Sequence, residues 1–152
     1  SLASPRSGDE IHLAALISAE LARVAVARGA IEEARLHASA ATAAQRAHRC
    51  RRCSAEIGPA LVEAALAADD LVAADAARAA SLEAAYRLNL PIAIATMRLA
   101  GGRLMLARGD LAGAAVEFAA ALETFERLGP RHLVAETRAA MVGADQARPE
   151  SA

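Results

Sequence analysis

Shifted against itself by 40 residues, the sequence lays three copies and part of a fourth on one another without a gap. A fixed period of this length marks stacked helical pairs, because one pair cannot bury its apolar stripe alone and each copy completes its neighbour's core. Gly29, Asp69 and Gly109 share one column, Ile31, Leu71 and Leu111 stand two positions on, and Ala34, Ala74 and Ala114 three further. The order is a turn, a small or acidic cap, then a helix start. All-alanine columns such as Ala15, Ala55, Ala95 and Ala135 weigh little singly, since alanine is common throughout.

Composition agrees with helix. The chain has 152 residues, long enough for one cored domain, and its 55% apolar content excludes disorder. Tyr86, Phe118 and Phe125 are the only aromatics, so the apolar fraction is helix-forming alanine and leucine, with little that strands favour. Punctuation sharpens the reading: Arg28-Gly29 and Arg108-Gly109 place a cation and a glycine at helix ends, and Asp70 and Asp110 can cap the helices that follow. Pro91 and Pro130 open new units, where a missing N–H costs nothing. Helices are expected at 10–28, 30–48, 52–68, 70–88, 91–108, 110–128 and 131–147, alternating as A and B helices. In the third B helix Leu111, Ala114, Ala115, Phe118, Leu122 and Phe125 fall on one stripe.

The unit Arg98 to Leu128 resembles a tetratricopeptide repeat: Gly102, Met105, Ala114, Phe118 and Ala121 fall at that family's signature spacing, with Met105 for the usual aromatic and Arg98 at the tryptophan-like position. Elsewhere Ala22 and Val62 replace the glycine, Ala38 and Arg78 the second aromatic, and the period is 40 rather than the usual 34. The resemblance implies an all-α fold of antiparallel helical hairpins stacked in a right-handed superhelix. The domain is expected over 9–148, with 1–8 a disordered or cut N-terminus and 149–152 a tail. The long, Arg/Ala-rich units are also similar to the sensor arm of large LuxR-type bacterial transcriptional regulators such as the maltose regulator. In those regulators the arm lies between an ATPase module and a DNA-binding helix-turn-helix. Neither is visible here, and with no lysine in the chain a GxxxxGK[ST] phosphate loop cannot occur. All 17 basic residues are arginine and asparagine occurs once, a usage associated with GC-rich bacterial genomes.

The most conspicuous motif is His48-Arg49-Cys50-Arg51-Arg52-Cys53. Zinc would need four ligands, and Cys50, Cys53 and His48 supply at most three. A redox pair is favoured by the arginines, which stabilise thiolate, and by a place at a helix start. Against both, Cys53 shares a column with Leu13, Ala93 and Leu133, and a buried cysteine usually serves as a small hydrophobe, so a structural role is favoured. Arg46, Arg49, Arg51 and Arg52 form the one basic cluster, without aromatic interleaving, and read as a solvated loop pairing with carboxylates. His12, His37 and His132 are scattered one to a helix.

No catalytic constellation emerges, so the expectation is a non-enzyme without cofactor or metal. In tetratricopeptide repeats the A helices line the concave face. Carried over by column, that face comprises Ser18, Arg23, Glu56, Glu63, Leu66, Arg98, Leu99, Arg103, Leu106 and Arg138. It suits a protein or peptide partner or a small acidic effector, unless its charges are spent on inter-helix ion pairs. The leading expectation is a ligand- or protein-binding segment of a LuxR-type regulator; the alternatives are a free-standing scaffold and a redox or zinc switch at the CxxC. Net charge of -1 with interspersed signs argues against nucleic-acid binding by this segment. Ser1 to Glu10 lacks a signal-peptide layout and no apolar run could cross a bilayer, so a cytoplasmic, membrane-free chain is expected. An exposed alanine-rich terminal helix face is an apolar surface that could also drive homodimerisation.

Overall fold

The computed structural model describes residues 8–149. The expected N-terminal stretch 1–8 lies outside it except for Gly8, which already belongs to the first helix, and of the expected tail only Pro149 is described. The described residues form seven helices and no strand: α1 Gly8–Ala27, α2 Ile31–His48, α3 Arg51–Ala67, α4 Leu71–Arg87, α5 Pro91–Ala107, α6 Leu111–Leu128 and α7 Arg131–Gln146. They pack as the neighbouring pairs α1–α2, α3–α4 and α5–α6, with α7 against α6. Consecutive A helices touch, α1 on α3 and α3 on α5, whereas successive B helices α2, α4 and α6 make no close backbone approach.

The turns explain the regularity. Gly29, Arg49, Asp69, Asn89 and Gly109 recur at even spacing, and each has left-handed φ, between 49° and 77°. In each turn the next N–H reaches back five residues, as from Ala30 to the Val24-adjacent Ala25 carbonyl at 2.9 Å, Asp70 to Ala65 at 2.9 Å and Leu90 to Ala85 at 3.0 Å. This left-handed closure satisfies carbonyls that the helix end would orphan. The last turn differs because Pro130 has no N–H to make that bond. Gly129 is therefore extended there, at φ -97° and ψ 168°, and bonds the Phe125 carbonyl at 2.8 Å. Asp70 and Asp110 cap as expected, accepting from the Ala73 N–H at 3.0 Å and the Gly113 N–H at 2.8 Å.

Alanine lines most of the core, so helices approach closely and the few large buried side chains sit in matched gaps. Phe118 and Phe125 fill the layer between α5, α6 and α7 with Ala114, Ala121 and Leu99. Gly102 lies directly beneath the Phe118 ring, and a Cβ there would collide with it. Pro59 stands inside α3 and cannot donate to the Ala55 carbonyl. The buried Ser81 hydroxyl of α4 donates to that carbonyl instead, at 2.9 Å. Gly58 leaves the room, since a Cβ at that position would overlap Ser81.

Candidate functional site

Three features of the surface carry chemistry or unsatisfied apolar area, and the first is the predicted A-helix face. Arg23 of α1, Glu63 of α3 and Arg103 of α5 occupy one repeat column, and with Glu136 of α7 they form a ladder of ion pairs across four helices. Arg23 Nε is 3.2 Å from Glu63, Arg103 Nη1 3.3 Å from Glu63, and Arg103 Nη2 2.8 Å from Glu136. The ladder, with Glu20 and Leu66, lines an open concavity of about 750 Å³. Burial alone would lower the Arg23 pKa, but the carboxylates of Glu63 and Glu20 outweigh it and hold the guanidinium above its ordinary value.

The other predicted residues are dispersed. Arg98 turns toward the B helices, its Nη2 3.1 Å from the Tyr86 hydroxyl and its Nη1 3.6 Å from Glu117. Arg138 pairs with Glu126 at 2.8 Å. Leu99 is buried in the core, Leu106 packs beside it, and Ser18 is half-buried on α1. Each charged member of the predicted set is thus engaged in an ion pair.

The second feature is the CxxC. Cys50 and Cys53 are joined by a disulfide within the first turn of α3. Cys50 is the N-cap, its sulfur accepting the Cys53 N–H at 3.1 Å. Cys53 is fully buried, although Leu13 in the same column is exposed, because among the described residues no helix packs on that side of α1. The histidine at the pair is His12 of α1, whereas the sequence pointed to His48, which is exposed at the end of α2. His12 Nδ1 lies 3.1 Å from the Cys53 sulfur and 3.8 Å from that of Cys50, and its Nε2 is 3.1 Å from Glu56. Glu56 also takes Arg52 at 2.8 Å, the carboxylate pairing expected of the basic run, and this hydrogen bond raises the Arg52 pKa. His12, Cys50 and Cys53 place their donor atoms within 4.8 Å of one another, but sulfurs bonded to each other are not available as metal ligands. The one sequence signal for His12 was its place beside the Cys53 column one repeat earlier.

The third feature is α1 itself. Its small residues Ala15, Ala19, Ala22 and Ala25 face inward with Ile11, while Leu13, Ile17, Leu21 and Val24 point outward, 44 to 56% exposed. A helix that is apolar on both sides belongs between two partners. In later repeats the same columns are covered: Ile57, Met97 and Thr137 are the buried counterparts of Ile17, and Ala64, Leu104 and Ala144 those of Val24. The outer face of α1 is therefore leucine, isoleucine and valine, while its alanines face α2 and α3 and allow them to approach.

A further groove of about 640 Å³ runs between α2 and α4 over Ile57 and Leu61, walled mainly by alanine. Among the described residues no helix is long and apolar enough to cross a membrane. Comparison with protein families, with curated proteins and with solved structures finds nothing that matches this chain.

Proposed function

We propose that this is a non-catalytic helical-repeat interaction module that docks through the outer face of α1, and that its first partner is a second copy of itself. The observation that carries this reading is the exposed stripe Leu13, Ile17, Leu21 and Val24, flanked by Asp9 at one end and Arg28 at the other. The stripe is self-complementary. Laid antiparallel on its copy, it sets Leu13 against Val24, Ile17 against Leu21 and Asp9 against Arg28, which is the symmetry a two-fold interface demands.

The magnitudes point to a concentration-dependent dimer. Covering the exposed halves of the apolar side chains from both copies contributes about 8 kcal/mol, at roughly 1 kcal/mol each. That lies within the range of about 4 to 15 kcal/mol lost in association, so flanking charge decides the outcome. Sensing of an effector as the arm of a bacterial transcriptional regulator is supported by the likeness of the long, Arg/Ala-rich units to such sensor arms. The ladder where such an effector would sit is already neutralised by its own ion pairs, which favours docking over ligand capture.

Sedimentation of the protein over a range of concentrations tests the reading. The expected result is a monomer–dimer equilibrium that Ile17→Glu abolishes with helicity intact. Asp9→Arg should weaken the dimer, and adding Arg28→Asp should restore it. A wild-type chain that stays monomeric throughout would sink the proposal.

A further inference from the structure

We infer that Cys50 and Cys53 form a redox-active pair that exchanges with an anionic low-molecular-weight disulfide of the oxidised-glutathione class. The inference stands apart from docking by α1 and rests on the local arrangement around the start of α3.

Holding the fold together is a poor account of this disulfide. It closes a loop of sequence separation 3 inside one helical turn, and so short a loop constrains the unfolded chain least. The surroundings fit exchange. Cys50 is half-buried at a helix N-terminus, where its sulfur takes a backbone N–H at 3.1 Å. The helix end and the adjacent Arg49 and Arg51 stabilise a thiolate at Cys50 and draw an anionic substrate toward it. The same positive charge opposes a dication, which separates the redox reading from a metal site. Cys53 is wholly buried and out of reach of an external disulfide, but its sulfur faces His12 Nδ1 at 3.1 Å. Glu56, on the other ring nitrogen at 3.1 Å, orients the imidazole with Nε2–H toward the carboxylate and the Nδ1 lone pair toward Cys53.

The chemistry balances in two steps. The Cys50 thiolate attacks one sulfur of the substrate RS–SR, whose S–S bond breaks, leaving a Cys50–S–SR mixed disulfide and releasing RS⁻. His12 Nδ1 then accepts the Cys53 thiol proton, and the Cys53 thiolate attacks the Cys50 sulfur. The mixed disulfide breaks, the second RS⁻ leaves, and the proton held on His12 passes to it. The first RS⁻ takes back from solvent the proton that Cys50 gave up on forming its thiolate, so Cys50 and Cys53 lose two electrons together and the substrate disulfide, having gained them, ends as two thiols. The reverse reaction regenerates the dithiol.

The test follows thiol release when the reduced protein meets oxidised glutathione, with helicity recorded for every variant. Wild type is expected to release both glutathione equivalents and to keep no lasting adduct. Cys53→Ala, or Cys53→Ser should the alanine variant unfold, is expected to stop at a mixed disulfide on Cys50. Cys50→Ala should react about tenfold more slowly or worse, since Cys53 is buried. His12→Ala should form the adduct at the normal rate and resolve it about a hundredfold more slowly. Cystamine, a cationic disulfide, should react more slowly than oxidised glutathione. The inference is overturned if Cys50→Ala and Cys53→Ala react alike, if reduction unfolds the helices, or if the reduced protein is isolated with one equivalent of zinc. Equal rates with cystamine would overturn the anionic substrate.

Discussion

At the scale of single residues, the clearest dependence is the exchange of partners around Pro59. A proline inside a helix orphans the carbonyl four residues back, and here the Ser81 hydroxyl from the next helix supplies the missing donor at 2.9 Å. Ser81→Ala should cost about 1 to 3 kcal/mol, because a buried carbonyl loses its only replacement donor. Pro59→Ala restores the helical N–H, so the double variant should recover most of that loss. Urea unfolding of the four proteins closes the cycle, and strict additivity would show that Ser81 acts by packing alone. The sequence displayed Pro59 and Ser81 but not their relation. Ser81 sits where Ala41 and Ala121 stand in the other repeats, a small-residue column that gives no sign of a hydroxyl's task. His12 was hidden for the same reason: its chemistry arises only when α1 lies against α3, which column alignment does not describe.

Helices and turns were the most legible level, since the signals that set them are local. The seven expected spans match the observed ones to within about two residues, because glycine, proline and capping aspartate act on their own neighbours. The turns between repeats were less visible. Arg49 and Asn89 take the left-handed conformation where α2 and α4 end, although neither is the glycine that such a turn favours. The tertiary register, with equal helices on either side, imposes it. Arg49→Gly should therefore stabilise the protein by about 0.5 to 1 kcal/mol, the relief of left-handed strain exceeding the added freedom of the unfolded chain. Asp70→Ala and Asp110→Ala should each cost about 1 kcal/mol through the lost cap. Thermal melts of the three variants check these signs, and a destabilised Arg49→Gly would mean that the arginine side chain contributes more than the backbone strain removes.

Over the whole molecule, the two seams between successive B helices are built differently. Between α4 and α6, Arg78 lies over Gly101, its Nη2 2.9 Å from Glu117, and Arg98 closes on the same carboxylate at 3.6 Å. One repeat earlier the matching columns hold Ala38, Leu61 and Ala77, so no bridge forms and the alanine-walled groove between α2 and α4 stays open. Glu117→Ala would leave the largely buried Arg78 without its anion. A fully buried pair broken in this way loses about 3 to 5 kcal/mol; with Arg78 and Glu117 still 20% and 15% exposed, about 2 kcal/mol is expected here. Removing both charges, as Arg78→Ala with Glu117→Ala, leaves no buried guanidinium without its anion at Arg78 and should recover part of the loss. In a stacked array such a change is felt by neighbours before it is felt by the far end, since each unit contacts only the next. Hydrogen exchange on Glu117→Ala should then show protection falling in α4, α6 and α7 while α1 and α2 keep theirs. A uniform fall along the chain would instead mean that the helices unfold as one cooperative block, with the seams contributing to total stability but not dividing it.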